Sequence, residues 1–396
     1  MANVLIFLGL FIVFIFSFLT LFFRSVFSAV RSIRVDNITF NPTDFKGNAI
    51  ILVVSFILCI LFAGYTQITA TTPSIKSKKP AYSNSISELR KIELNGRNEW
   101  ISIRGNDKSN PLLLFLAGGP GGSQMAAVRH TLSKLEAHFV IVNWDQPGSA
   151  KSYKAGKDIT IQDYIDDGYE LTRYLCKEFD QEKIYLLGES WGSALGIFLA
   201  DKAPELYHCF IGTGQMVAFL ETERLDYELA MEIAEEKNDT KKLKKLKENG
   251  PPPYYGKDVT WKSSEYLMYL SGYMMRNSNI PNSGYNTFRD LLSEEYGIID
   301  KVNYFRGIIS TFNHVYPQLY ETDLRNNYTK LDIPIYFFTG RHDINAPTSL
   351  VEDYFESLIA PYKEIVWFEA SGHSPWANET DRFIEELLRV TDQFAD

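Results

Sequence analysis

The sequence predicts an α/β fold in which a mostly parallel central sheet carries an inserted helical cap and follows two transmembrane helices. From Leu112 onward, short apolar runs alternate with helical stretches, which is typical of a parallel sheet covered on both faces. Between Gly212 and Ile333 this alternation stops, and residues that favour helix take over. Two long uncharged apolar runs precede the folded part.

The N-terminal runs predict membrane helices. Val4–Phe23 contains no charged residue and would span about 30 Å as a helix, which is the thickness of a hydrocarbon core. Ala49–Tyr65 is also uncharged and lies at the short end of the spanning range. The alternative is a signal peptide followed by a buried strand or helix, but no Lys or Arg precedes the first run. We therefore predict a multi-pass protein of the cell membrane.

The orientation prediction depends on the basic residues that flank the two helices. Arg24, Arg31, Arg34 and Lys46 lie between the helices, whereas Lys76, Lys78 and Lys79 follow the second. The small excess in the connecting loop favours a cytoplasmic loop and an extracytoplasmic catalytic domain, because positive charge is retained inside.

The remaining chain divides by composition. Residues 1–70 form the predicted anchor and 71–84, rich in Ser, Thr, Lys and Pro, a linker. Residues 85–215 and 331–396 form the predicted core, and 216–330 the cap. Leu89–Leu94 and Glu99–Arg104 surround an Asn-Gly turn and predict an antiparallel pair. The other predicted strands are Leu112–Leu116, Phe139–Asn143, Ile184–Leu187, Cys209–Gly212, Ile335–Phe338 and Ile365–Phe368.

Composition excludes several classes of function. The net charge of -9 over 396 residues argues against a nucleic-acid partner, since neutralising phosphates needs a basic face. The three cysteines have no CxxC spacing, so neither a disulfide framework nor a structural metal is predicted.

Gly188-Glu189-Ser190-Trp191-Gly192 matches the GxSxG pattern, in which a sharp turn from strand to helix lifts a serine hydroxyl above the sheet edge. The alternative is a serine in an ordinary tight turn. A predicted strand runs directly into this segment and a predicted helix runs out of it, which is the context that the pattern needs. We predict that Ser190 is a nucleophile.

A serine nucleophile needs a base, and that base needs an orienting acid. In this fold the chain order is Ser, then Asp or Glu, then His. Asp343 follows the strand Ile335–Phe338, and His373 follows Ile365–Phe368. We therefore predict a Ser190–His373–Asp343 triad.

Acyl transfer also needs donors for the developing oxyanion. Gly118-Gly119-Pro120-Gly121-Gly122 follows the strand Leu112–Leu116, the expected place for an oxyanion loop. The Gly119 N–H and the Trp191 N–H are the predicted donors. A phosphate-binding loop is the alternative, but the Lys and Ser/Thr of such loops are missing.

Three segments resemble the proline iminopeptidase group of α/β-hydrolases, serine peptidases that release N-terminal proline or other residues. Leu116–Gly121 resembles the HGGPG of that family, Asn143–Ser149 with Ser152 resembles DQRGxGxS, and Gly188–Ser193 resembles GGSWGS. The likeness runs from about Leu89 to the C-terminus. Ala117 replaces the usual His of the family, Glu189 a Gly and Pro147 an Arg.

The resemblance implies that cap carboxylates bind the free α-amino group of a substrate. Candidates are Glu221, Glu223 and Glu265, and Gly118 is a further candidate for substrate binding. The alternative for each acid is a solvated helix face.

Together these features predict a cofactor-independent serine hydrolase that acts on a peptide or a small amide or ester, with aminopeptidase activity first. A membrane carboxylesterase or lipase, and a non-catalytic binding module that keeps the fold, are the alternatives. A carboxylate nucleophile, as in epoxide hydrolases, is excluded because position 190 is serine.

Overall fold

The computed structural model describes residues 2–34, 43–75 and 84–394. It contains an eight-stranded sheet in the order β1-β2-β4-β3-β5-β6-β7-β8. The pairs β1–β2 and β2–β4 are antiparallel and all others are parallel. The strands are β1 Ile86–Leu94, β2 Arg97–Gly105, β3 Leu112–Leu116, β4 Val140–Asp145, β5 Ile184–Glu189, β6 Tyr207–Thr213, β7 Ile335–Gly340 and β8 Lys363–Phe368.

Two helices precede the sheet in the chain, and the other helices lie between and after its strands. The α-helices are α1 Ala2–Arg34, α2 Thr43–Ile68, α3 Met125–Thr131, α4 Ile161–Phe179, α5 Trp191–Lys202, α6 Phe219–Glu236, α7 Thr240–Asn249, α8 Val259–Met274, α9 Thr287–Leu291, α10 Ile298–Val315, α11 Leu324–Asn327, α12 Thr348–Ser357, α13 Pro375–Asn378 and α14 Thr380–Thr391. Short 3-10 helices lie at Ser133–Ala137, Ala150–Gly156, Pro204–Leu206, Gly256–Asp258, Tyr316–Leu319 and Asp392–Phe394.

The sheet is buried on both faces, as its apolar strands predict. Leu112, Leu114 and Leu116 of β3 belong to one apolar core, whereas Leu113 and Phe115 belong to another. Alternate side chains of a strand point to opposite faces, so each face of the sheet packs against its own apolar layer. The predicted mostly parallel sheet is confirmed.

The parallel strands place their C-terminal ends at one edge of the sheet. Strands β3, β5, β7 and β8 are parallel neighbours or near neighbours in this sheet. The loops that follow them therefore meet above the same edge, where α/β proteins bind ligands.

Helices α6 to α11 occupy the chain between β6 and β7, within the predicted cap at 216–330. A separate small core that includes Ile233, Leu246, Tyr266 and Leu270 holds α6, α7 and α8 together. The chain separates into two compact units, and the larger one contains Thr72–Leu291 and Val302–Asp396.

The smaller unit contains the chain up to Thr71 together with Leu292–Lys301. Within it, Ala2–Ser28 and Lys46–Ile68 have mean hydropathies of 2.9 and 2.6, and each is long and apolar enough to cross a membrane. Both helices continue beyond the predicted apolar runs. Most of the predicted linker, including Lys76, Lys78 and Lys79, lies outside the described residues, as do the side chains of Arg31 and Arg34.

Candidate active site

Ser190 occupies a strained turn between β5 and α5. Its φ of 55° and ψ of -122° are unusual for a residue with a side chain, and such conformations concentrate at functional sites. Glycine is required on both sides. A Cβ on Gly188 would lie 2.2 Å from the Gly192 carbonyl oxygen, and one on Gly192 would lie 2.1 Å from the Leu116 carbonyl oxygen. The crowded turn therefore explains the two glycines of the pattern.

Hydrogen bonds hold this turn in place. The Ser190 N–H donates to the Thr213 carbonyl at 3.0 Å. The Ser193 hydroxyl donates to the Ser190 carbonyl at 2.5 Å and accepts the Met216 N–H at 2.9 Å. The nucleophile position is thus tied to the end of β6 and to the loop that enters the cap.

Asp343 and His373 form a hydrogen-bonded pair in the loops after β7 and β8. His373 Nδ1 lies 3.0 Å from Asp343 Oδ2 and 3.1 Å from Oδ1. Oδ1 also accepts the backbone N–H groups of Asn345 and Ala346, each at 3.0 Å. Because an ionised carboxylate only accepts, this network assigns a proton to Nδ1, so the neutral form of the imidazole carries its free lone pair on Nε2.

The environment of His373 raises its pKa. Burial lowers the pKa of the imidazole, but the charge of Asp343, the hydrogen bond to Asp343 and the charge of Glu189 together outweigh burial. The pKa rises from 6.5 to about 9. The buried acid therefore stabilises the imidazolium that a general base becomes after it takes a proton.

Ser190 and His373 border the same cavity of about 120 Å³, together with Gly119 and Trp191. No hydrogen bond joins the Ser190 hydroxyl to the imidazole in the part of the chain that the structure describes. Catalytic hydrogen bonds are often long in free enzymes and shorten when substrate binds. The predicted nucleophile, base and oxyanion residues are thus brought to one cavity.

The predicted oxyanion loop packs closely against Ser190. A Cβ on Gly118 would lie 3.3 Å from the Ser190 Cβ, a tight contact that would require the serine to shift by a few tenths of an ångström. The Gly118 N–H donates to Gln124 Oε1 at 2.9 Å and is thereby occupied. Trp191 begins α5, where backbone N–H groups have no partner within the helix. This leaves Gly119 and Trp191 as the backbone donors that border the cavity.

Gln146, in the segment that resembles DQRGxGxS, links the two sides of the oxyanion site. Its amide donates to the Ala117 carbonyl at 3.0 Å and accepts the Trp191 indole N–H at 2.8 Å. The Asn143–Ser149 segment therefore contacts both of the other segments of the resemblance, Leu116–Gly121 and Gly188–Ser193.

Glu189 is a buried carboxylate that joins three active-site loops. It accepts hydrogen bonds from the Gln124 amide, from the Ser374 hydroxyl at 2.5 Å and from the Trp376 indole at 2.8 Å. Gln124 in turn holds the Gly118 N–H. The sequence showed Glu189 only as a departure from the family pattern, whereas the structure shows it connecting the oxyanion loop to the histidine loop.

The three predicted cap acids lie in different surroundings. Glu223 is fully buried, borders the cavity and accepts hydrogen bonds from Ser263 at 3.0 Å, Tyr316 at 2.9 Å and Tyr266. Burial raises its pKa and outweighs the opposite effect of these hydroxyl groups.

The other two predicted acids do not border that cavity. Glu221 forms an ion pair with Arg325, and Glu265 forms one with Lys242 at 2.7 Å. Both carboxylates are thus compensated by cations on the surface of the cap.

Asp226, which the sequence did not single out, borders the cavity one turn after Glu223 on α6. Its side chain is buried, and neither carboxylate oxygen has a hydrogen-bond partner among the described residues. Burial raises its pKa, and the charges of Glu223 and Asp343 raise it further. The i,i+3 spacing from Glu223 is the signal that could have found it.

Comparisons with known proteins agree with this architecture. A family model described as the alpha/beta hydrolase fold matches residues 111–244. The chain is 30% identical over 313 residues to "Probable aminopeptidase YbaC" of Bacillus subtilis (strain 168), covering 77% of this chain and 96% of that protein. It is 25% identical to a proline iminopeptidase of Saccharolobus solfataricus, over 72% of this chain and 86% of that one. The crystal structure of a Mycobacterium smegmatis proline iminopeptidase aligns with a TM-score of 0.57 and 16% identity, over 78% of this chain and all of that one. That structural likeness shows the fold alone.

Proposed function

Because this chain belongs to the α/β-hydrolase family, we propose that it is a membrane-anchored serine aminopeptidase that releases proline or another N-terminal residue from peptides. Its aminopeptidase-named relative matches along nearly its whole length. The proposal depends on one observation. Two buried acids, Glu223 and Asp226, border the same cavity as Ser190.

In the proposed mechanism, Ser190 attacks the scissile carbonyl while His373 Nε2 takes the hydroxyl proton. The imidazolium then gives this proton to the leaving amine, which departs as the acyl-enzyme forms. Water attacks the acyl-enzyme by the same route in reverse, with His373 again as the base. Asp343 keeps Nδ1 protonated throughout, and its position 3.0 Å from the imidazole supports that role.

The backbone N–H groups of Gly119 and Trp191 are proposed to bind the oxyanion. Removing one such donor typically costs about 3 to 4 kcal/mol of barrier, so their placement matters as well as that of the triad. Gln146 fixes the indole of Trp191, and Gln124 fixes the Gly118 end of the loop. Both contacts favour a preorganised site over one that assembles on binding.

Glu223 and Asp226 are the proposed partners of the substrate α-ammonium group. Asp226 in particular is buried without a hydrogen-bond donor among the described residues, which costs free energy until a cation arrives. A neutral acyl chain would leave that cost unrelieved. This difference favours an amine-bearing substrate over a simple ester.

Hydrolysis of prolyl and other aminoacyl p-nitroanilides by the full-length protein in detergent tests this proposal. Ser190→Ala should abolish product release, whereas Ser109→Ala, at an exposed loop serine, should not. Wild-type activity in Ser190→Ala would refute the assignment of the nucleophile. Equal activity on acyl esters without an amine would instead favour a carboxylesterase or lipase. Failure of a fluorophosphonate to label Ser190 would favour a binding module.

We further propose that α1 and α2 cross the membrane and leave the catalytic domain extracytoplasmic. Both helices meet the length and composition for a span, and the basic residues between them favour a cytoplasmic loop. Protease added to intact cells should cleave the catalytic domain. Protection of that domain until the cells are lysed would reverse the orientation.

A further inference from the structure

A second cavity, of about 420 Å³, is also bordered by His373. It shares His373 and Asn345 with the cavity of about 120 Å³ but is not bordered by Ser190 or Gly119. His373 therefore borders two compartments, and only the smaller one is also bordered by Ser190 and Gly119.

This arrangement defines which part of a substrate each compartment takes. The acyl group must stay with the serine and the oxyanion donors, which border the smaller cavity. The leaving amine must receive its proton from the imidazole, so it departs on the histidine side. The larger cavity is the compartment on that side that lacks the nucleophile.

The lining of the larger cavity is neutral apart from the imidazole. Met274, Met275 and Ile280 supply apolar surface, and the polar groups come from serine, threonine, tyrosine and asparagine side chains. The Asn282 side-chain amide donates to the Asn378 backbone carbonyl, and the Asn378 amide donates to the backbone carbonyl and Oδ1 of Asn282. Among the residues that border this cavity, no lysine or arginine is present to receive an anion.

Asn345 borders both cavities. Its side-chain amide donates to the Ser271 hydroxyl at 2.8 Å, and its buried Oδ1 has no partner among the described residues. A buried acceptor without a donor is costly, and the N–H of a peptide leaving group would satisfy it.

We propose that the larger cavity is the leaving-group subsite and that it takes uncharged peptide backbone with Asn345 as an acceptor. The proposal rests on the aminopeptidase function above and deepens it. It predicts that the protein prefers peptides of three or more residues, or C-terminally amidated dipeptides, to dipeptides with a free carboxylate. The carboxylate of a free dipeptide would enter this cavity without a lysine or arginine, and it would favour the protonated imidazole, which cannot act as a base.

Three substrates that share one N-terminal residue test the proposal: a free dipeptide, its C-terminal amide and the tripeptide. With the full-length protein in detergent, kcat/KM for the amide and the tripeptide should exceed that for the free dipeptide by about fivefold or more. A ratio near one would overturn the neutral-subsite proposal while leaving the aminopeptidase function intact. Failure to cleave any of the three, with Ser190 still labelled by a fluorophosphonate, would count against the aminopeptidase function itself.

A charge-introducing variant separates electrostatics from size. Met275 borders the cavity and is 51% exposed, so a longer polar side chain can be accommodated there. Met275→Lys should raise kcat/KM for the free dipeptide relative to its amide, whereas Met275→Gln, the uncharged control, should leave that ratio as in the wild type. Fluorophosphonate labelling of Ser190 reports whether each variant is folded. Equal ratios in the two variants would overturn the electrostatic reason for the preference.

Discussion

Replacing Asp343 with Asn removes the charge that controls the His373 imidazole. In the native site, burial lowers the pKa of His373, and the charge and hydrogen bond of Asp343 reverse this effect to give a pKa of about 9. The introduced amide would keep the size of the side chain but not the charge. We therefore expect the pKa of His373 in Asp343→Asn to fall below its ordinary value of 6.5.

The size of the effect follows from the native pKa. A rise from 6.5 to about 9 corresponds to about 3 kcal/mol in favour of the imidazolium, since one pKa unit is roughly 1.4 kcal/mol. His373 is 20% exposed, so solvent screens this interaction only in part. The amide of the variant has one oxygen instead of two, and if that oxygen keeps the backbone N–H groups of Asn345 and Ala346, its NH2 group opposes Nδ1–H. A comparable change in a serine protease triad costs about 10⁴-fold in rate.

The rate of Ser190 labelling by a fluorophosphonate, measured against pH with full-length protein, checks both expectations without knowledge of the substrate. The wild-type rate should rise with pH through about 9, as His373 loses its proton. In Asp343→Asn the rate should fall by roughly three to four orders of magnitude, and its remaining rise should move to lower pH. Asp332→Asn, at an exposed aspartate, is the matched control. An unchanged rate or an unchanged pH midpoint in Asp343→Asn would refute the proposed role of Asp343.

The same pair makes stability depend on pH with a definite sign. Because the pKa of His373 is raised in the folded state, the pair stabilises the fold fully below pH 6.5, and this stabilisation is lost as pH rises through about 9. Between these values, the Tm of the wild type should fall relative to that of Asp343→Asn.

Three further substitutions test the surroundings of the triad. Glu189→Gln places an amide against three hydrogen-bond donors, so we expect a loss of about 1 to 3 kcal/mol in unfolding free energy and slower Ser190 labelling, with exposed Glu182→Gln as the control. Asp226→Asn replaces a buried carboxyl group that has no hydrogen-bond donor among the described residues, so the Tm should rise while KM for aminoacyl substrates increases; a lower Tm would contradict the assignment. Gly214→Ala would place a Cβ 2.8 Å from the imidazole Cε1 at a φ of +51°, so labelling should fall sharply. Gly96→Ala, with φ of +82° and open space around it, controls for backbone strain, and equal effects would refute the steric argument.

The neutral lining of the cavity of about 420 Å³, the proposed leaving-group subsite, also bears on the lipase alternative. A phospholipid leaving group carries a charged headgroup, and the residues that border this cavity include no lysine or arginine to bind its phosphate. Together with the buried acids Glu223 and Asp226 on the acyl side, this composition favours peptides on both sides of the scissile bond.

The sequence by itself determined which strands the predicted catalytic residues follow. Strands buried on both faces must be nearly continuous apolar runs. Leu112–Leu116 and Ile335–Phe338 could therefore be identified as strands from their own residues, without knowledge of the strands beside them. The turn at Ser190 needs glycine on both sides for steric reasons, which left a readable pattern. Two apolar runs likewise marked the N-terminal helices.

Only the tertiary structure decided which polar side chains face the cavities. Glu221 and Glu223 lie two residues apart on one helix, yet one pairs with Arg325 and the other is buried beside tyrosine hydroxyls. The proposed roles of Asp226 and Asn345 likewise depend on buried oxygens that have no hydrogen-bond donor among the described residues. A local sequence pattern does not show whether such a donor is present. These environments arise where segments far apart in the chain pack together, so composition and spacing, which describe only the local chain, do not contain them.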